Sequence, residues 1–470
     1  MPENVNLLSF INMVSWPQWK GEREMTLDLT QGTPWRGTLR FTLPLLLGNL
    51  LQQLYNTADT IIVGNYISDR ALSAVGACTS LTMLFTALAL GFSIGAGVLV
   101  AQYFGAQKER ELRQYAATSM LLLLGLGIAA SVLGVLLAKP LLVGLLQTPE
   151  ALRDMAVTYF AIYAVGLVFQ FGYNIAAAIL RAIGDSKATL YFLLASSLLN
   201  VVLDLLLVAV VRMGVAGAAI ATVLSQVCSC VLGFWYMHRK YPLLRFTRRE
   251  LIFSKPIAKR VLVIGAPMAL QQSVVSCGFM FLQRLVNSCG EDMVASFTVG
   301  SRIENYLTLP AIAFQSTMAT YTGQNIGAQQ PARVSRGLWQ TALLAMLVTL
   351  PLSLIVYCFA PQLIRLFAIS GPAAAYCAQH LHVAAFAVLI FALYFPCNGL
   401  LQGAGEGFYA TFCAFLALGV RVLLAYTLIG TQLFRYTSIW WSQLLAWVVT
   451  MLFCYCHYFR GTWKTRSLVQ

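Results

Sequence analysis

Charge is what this chain has least of. Only 10% of its 470 residues are charged, against about 25% in ordinary soluble domains, while 59% are hydrophobic. That scarcity excludes a water-soluble fold. Many apolar runs reach the ~18 residues needed to cross a bilayer, and no stretch alternates in the manner of a membrane β-barrel. The fold class is an all-α membrane protein. Paired cysteine motifs are missing too: the eleven cysteines include no CxxC. Cys228/Cys230 and Cys454/Cys456 sit two apart, on different sides of a helix, where they cannot share a metal. His238, His380, His382 and His457 show no ligand spacing. A soluble catalytic domain, a Ser/His/Asp set and a phosphate loop are all lacking, which sets an enzyme aside and implies no cofactor.

What charge there is has a sign and a place. The net charge of +14 invites a nucleic-acid reading, but position argues otherwise. Hydropathy outlines twelve spans, near 38–64, 71–104, 113–138, 154–181, 187–211, 214–238, 258–287, 293–325, 334–360, 374–402, 407–430 and 436–459. The even-numbered loops and both tails hold 22 Lys and Arg, the odd-numbered loops 7. This bias puts both termini in the cytoplasm of a plasma (inner) membrane protein and assigns the basic excess to topology and anionic lipid. A cytoplasmic tail (1–36) leads to a first half (37–238), a basic linker (239–257), a second half (258–460) and a short cytoplasmic tail (461–470). The tail lacks a cleavable-signal pattern, and MTLDLTQGTPWRGTLR from Met25 reads as an alternative start to Met1.

The halves repeat. Pro44 matches Pro267, 223 positions on; Gly105-Ala106-Gln107 matches Gly327-Ala328-Gln329, 222 on; Gly184-Asp185 matches Gly405-Glu406, 221 on. Six spans per half make the repeats parallel, as in two-lobed transporters whose central cavity opens alternately to each side. A continuous polar path, which a channel needs, is not evident.

Polar residues interrupt the apolar runs selectively. In span one, Asn49, Gln52, Asn56 and Asp59 fall at helical spacing on one face. An acid at the centre of a membrane helix costs roughly 2.5–3.5 kcal/mol on insertion scales, so function is the first explanation and interhelical hydrogen bonding the second. In span five, Asn200 and Asp204 are four apart and share a face. Two buried carboxylates beside an amide suit either a proton acceptor or a small hard cation. The repeat carries Asp59 onto Leu282 and Asp204 onto Ala425, so the acidic pair belongs to the first half. In the second half Arg302 and Glu304 cannot face each other on a helix, and Arg421 is a candidate partner for Glu304 in a buried ion pair. Pro44, inside span one, is a candidate hinge.

The segments LPLLLGNLLQQLYNTADTIIVG, AQYFGAQ, LRAIGDSK and LNVVLDLLLV, together with the twelve spans, resemble the multidrug and toxic compound extrusion (MATE) transporters over roughly residues 25–460. The resemblance is to the archaeal and DNA-damage-inducible branch. It implies a V-shaped pair of lobes exporting amphiphilic, cationic compounds in exchange for protons or sodium ions, in a monomer. It further implies that Asp59, Asn200, Asp204 and Thr222 surround the coupling cation, H+ or Na+. Gln52, Tyr55 and Asn174 would line the substrate cavity, and Pro44 matches the family's first-helix proline. Another branch uses acids in helices seven and ten; here helix seven has Val275, and helix ten (LYFPCNGLLQG) has no acid. Relatives place proline after the fifth-helix acid, whereas here Leu205 follows. A flippase of lipid-linked saccharides, from the same broad superfamily, is the alternative.

Overall fold

The computed structural model describes residues 27–247, 250–367, 369–429 and 435–469; the side chains at 58–61, 63–65, 69 and 275–281 lie outside this description. The choice between Met1 and Met25 therefore falls outside it. Long apolar runs become helices because the bilayer offers no water to satisfy a free backbone. In order these are α1 (Pro34–Tyr66), α2 (Asp69–Gly105), α3 (Glu109–Lys139), α4 (Arg153–Val165), α5 (Leu167–Ala182), α6 (Ser186–Asp204) and α7 (Gly214–Lys240). After the linker come α8 (Lys255–Ser288), α9 (Glu291–Gly327), α10 (Pro331–Arg365), α11 (Gly371–Gly403), α12 (Gly407–Leu428) and α13 (Ser438–Arg460). Among the described residues, eight helices are long and apolar enough to cross a membrane, or nine if the bent pair α4–α5 is one span.

That pair departs from the single span expected over 154–181. It bends by 44° at Gly166. A Cβ there would fall within 2.8 Å of Gln226 Oε1 and Val223 Cγ2 of α7, so glycine gives these two side chains their room. The Val168 N–H, at the break, is met by Ser131 Oγ at 3.1 Å, which satisfies a group that lipid could not. The bend aims Gln170 and Asn174 inward.

The repeat is legible in the backbone. Gln107 and Gln329 both hold positive φ (56° and 58°), as do Gly184 and Gly405 (96° and 83°). The halves meet along α2, which packs against α8 and α9, while α1 lies between α6 and the α9–α10 pair. At one end the contacts are reciprocal. A Cβ on Gly105 would fall 1.8 Å from the Gln324 carbonyl oxygen, and one on Gly327 would fall 1.9 Å from that of Gln102. Gln102 Nε2 donates to the Gly403 carbonyl at 3.0 Å, and Gln324 Nε2 donates to the Ala182 carbonyl at 2.8 Å. Each glutamine also accepts from a backbone N–H of a terminal segment, Leu468 on Gln102 and Leu29 on Gln324. Nearby, Thr42 of α1 and Thr317 of α9 share a hydroxyl contact at 2.7 Å. The halves are thus joined at this end by backbone-to-backbone packing that leaves no room for side chains.

Further along the same seam a Cβ on Gly91 would lie 2.1 Å from Ala269 Cα, whereas one on Gly125 of α3 would meet nothing within 4 Å. Gly91→Val should cost at least the ~1–3 kcal/mol typical of overpacking, while Gly125→Val should leave stability unchanged. Thermal unfolding of the two purified variants checks this.

Candidate functional site in the first half

The site is built on α6, which is polar inside and apolar outside. Asn200 and Asp204 are fully buried, while Leu198, Val202 and Leu206 are 60%, 60% and 46% exposed. That inversion of a soluble helix is what lipid solvent selects. With the Asn200 amide oriented to satisfy both its ends, Nδ2 donates to Asp204 Oδ2 at 2.6 Å and Oδ1 accepts from the Thr222 backbone N–H of α7 at 3.2 Å. One amide therefore ties the carboxylate on α6 to Thr222. The Thr222 hydroxyl donates to the Ala218 carbonyl at 3.0 Å. Asn200, Asp204 and Thr222, expected together, are together.

Immediately after Asp204 the helix changes winding: Leu205–Val210 forms a π-helical turn. Where the resemblance leads one to expect proline, widened hydrogen bonding alters the helix instead. π-Turns concentrate at functional sites. Gly217 of α7 sits close to this turn, its Cβ position 3.1 Å from the Leu207 carbonyl oxygen, so α7 is seated on the altered segment.

The remaining predicted residues lie on the flanking helices. Pro44 is buried inside α1. Gln52 is exposed and Tyr55 half-buried on the same helix, while the Asp59 side chain lies outside the described residues. Asn174 is buried on α5 and donates to the Gln170 carbonyl at 2.8 Å. Gln170 donates to Thr86 Oγ1 of α2 at 2.8 Å and accepts from the Tyr163 hydroxyl at 3.2 Å. Sequence reasoning missed this Thr86–Gln170–Tyr163 network; its signal was a lone amide in an apolar run, four residues before Asn174.

One expectation changes on the second-half side. Glu304 and Arg421 are not in direct contact: Gln443 stands between them, donating to Glu304 and accepting from Arg421. On α11, where no acid was found, Asn398 Oδ1 accepts from Gln271, Gln315 and Gln402 at 3.2, 2.8 and 3.1 Å, which makes a neutral amide cluster there. Among the described residues, no group of three or more His, Cys, Asp or Glu side chains is placed to hold a metal ion. The first-half cluster instead brings together a carboxylate, an amide and the Thr222 backbone N–H.

The MatE family model matches residues 44–206 and again 267–427, once in each half. The chain is 31% identical over 448 residues to the probable multidrug resistance protein YpnP of Bacillus subtilis (strain 168), covering 94% of this chain and 98% of that protein. It is 25% identical to the probable multidrug resistance protein YoeA of the same strain, covering 95% and 98%. In fold it is similar to the outward-facing conformation of a multidrug resistance MATE family transporter of the MOP superfamily, with a TM-score of 0.88 at 24% identity, covering 93% and 98%.

Asn200→Ala removes the amide that bridges α6 and α7. It should lower stability by about 1.5–3 kcal/mol, the range for a hydrogen bond to a charged group, as read by denaturant or thermal unfolding of the purified variant.

Proposed function

The chain belongs to the MatE family, whose members are transporters rather than enzymes, and from that membership we propose that it is a multidrug exporter working as a secondary antiporter. Its relatives' names support export of small organic compounds across the cell membrane. In this reading twelve spans form two lobes with both termini in the cytoplasm, and the junction of Gln102, Gln324, Gly105 and Gly327 is the closed cytoplasmic end. The substrates are amphiphilic cations, drawn to a first-half cavity walled by Gln52, Tyr55 and Asn174.

The observation that carries the coupling mechanism is the buried Asn200–Asp204–Thr222 contact. Register supports adding Asp59. Gly48 of α1 packs on Leu190 and Leu193 of α6, and in the proposed topology both spans enter from the cytoplasm, so the two helices run in the same direction. Eleven residues on from each, position 59 of α1 comes level with positions 201–204 of α6. A proton or sodium ion entering from outside binds there, α1 bends at Pro44, and the cavity releases its substrate. The cation leaves when the lobes rock open to the cytoplasm. The contact among Asn200, Asp204 and Thr222 is what favours the archaeal and DNA-damage-inducible branch in this reading. A single charge moved through 100 mV supplies ~2.3 kcal/mol, enough for a concentration ratio of about 50 for a neutral substrate. For a monovalent cation exchanged one for one, the electrical contribution cancels and the ion gradient alone drives export.

Proteoliposomes loaded with a cationic dye and given a proton gradient alone, then a sodium gradient alone, test this. One gradient should drive dye movement in the wild type, and Asp204→Asn should abolish it in folded protein. Near-normal exchange by Asp204→Asn refutes the site; binding of a lipid pyrophosphate with no dye movement points to the flippase alternative.

A further inference from the structure

The repeat maps the first-half site onto a second place in the molecule. Asn200 lies 221 positions before Arg421, and Thr222 lies 221 before Gln443. These counterparts also touch: Arg421 Nη2 donates to Gln443 Oε1 at 2.5 Å, from α12 to α13 as Asn200 and Thr222 join α6 to α7. The counterpart of Asp204 is the buried Ala425, so a carboxylate arrives from elsewhere. Glu304 of α9 supplies it, accepting from Gln443 Nε2. Its other oxygen lies 3.2 Å from Nε2 of His380 on α11.

The histidine is held on one ring face. It lies flat on Trp440, centroids 4.2 Å apart and planes 3° from parallel, with Phe297 at 6.0 Å. Gly300 makes room for it, since a Cβ there would fall 2.1 Å from His380 Nδ1; at Gly76, 224 positions earlier in the Val-Gly pair that the repeat matches to Val299-Gly300, the space is open. The His380 pocket thus belongs to the second half alone. His380 is 2% exposed and Glu304 15%, so the carboxylate is the member that meets the outside. Two residues further on, the Tyr306 hydroxyl lies 3.4 Å from Thr57 Oγ1 of α1, so this stretch of α9 packs beside the first half. Among the described residues, three buried polar atoms of this one cluster have no hydrogen-bond partner: His380 Nδ1, Arg421 Nε and Trp440 Nε1.

An intramembrane ionisable group demands a reason, and these three unmet atoms show that the cluster is not optimised as structural glue. When the carboxylate is ionised it fixes the imidazole hydrogen on Nε2, leaving Nδ1 a bare, buried lone pair. The pair has room for one more proton, and taking it changes the cluster of Glu304, His380 and Arg421 from neutral to a charge of +1. Among the described residues, the charged side chains of α8 and α10 lie toward the helix ends, Arg302 of α9 is exposed, α13 presents Gln443 and Trp440, and His382 lies tilted against Tyr357.

We propose that the second half carries its own proton-binding site, the Glu304–His380 pair, at the place where the repeat puts the counterpart of the Asn200–Asp204–Thr222 pocket. It is a separate site, and an exporter with both sites can take up a proton in each half.

Trp440 reports on the pair, because an imidazolium stacked on an indole quenches its fluorescence. The full chain in lipid nanodiscs is titrated between about pH 8 and 5, the range in which histidine changes charge. The wild-type signal minus that of Trp440→Phe should fall with acid. His380→Gln should abolish that fall, and Glu304→Gln should shift its midpoint, because the anion facing Nε2 is gone. Asp204→Asn, which tests the first-half site, should leave it in place. A difference signal that ignores pH, or a fall that survives His380→Gln, overturns the proposal; so does an unchanged midpoint in Glu304→Gln, or loss of the fall in Asp204→Asn. If the Glu304 or His380 variants do not fold, the wild type and Trp440→Phe still decide whether the fall exists.

Discussion

The hydrogen bond from Asn200 to Asp204 is the contact on which the rest of the molecule's chemistry depends. A carboxylate in a lipid-facing helix is tolerated only if it is hidden and met by donors. Here α6 hides it by turning Leu198 and Val202 outward, and the π-turn does the same with Leu206. The amide meets it and, through its other end, ties α6 to Thr222 of α7. The π-turn after Asp204 then fits the helix to α7 at Gly217. In the proposed mechanism a proton or small cation at the carboxylate would compete with that amide, so loading the site would act on the packing of α6 and α7, and on α1 beside them.

The second constraint is where the halves are fastened. Gly105 on Gln324 and Gly327 on Gln102 bring backbones together at one end, and both glutamines are occupied by carbonyls of the opposite half and by the chain's terminal segments. Such a junction has no soft side chains to yield gradually, so it is either made or broken. This suits a transporter that rocks between two states.

Much of this was legible in the sequence. Apolar runs near the bilayer length became helices within a few residues of their expected ends, and the 221–223 offset reappears in the paired backbone conformations of Gln107 with Gln329 and Gly184 with Gly405. Asn200 and Asp204 were readable because helical periodicity is local. Three features were not. The bend at Gly166 depends on what α7 brings to it, and the π-turn has no residue signature once proline is absent. The meeting of Glu304 with His380 joins residues 76 apart, which no periodicity encodes. Carrying Asn200 and Thr222 through the repeat, as was done for Asp204, would have landed on Arg421 and Gln443 and pointed to that cluster.

The central claim, that the Asp204 carboxylate is where the coupling cation is held, is tested most directly by infrared difference spectroscopy of the purified protein in lipid. Spectra are recorded with and without the ion that drives transport. The account predicts a change in a carboxyl stretching band, protonation for H+ or a displaced carboxylate band for Na+, that is absent from Asp204→Asn. The same band appearing undiminished in Asp204→Asn would contradict it.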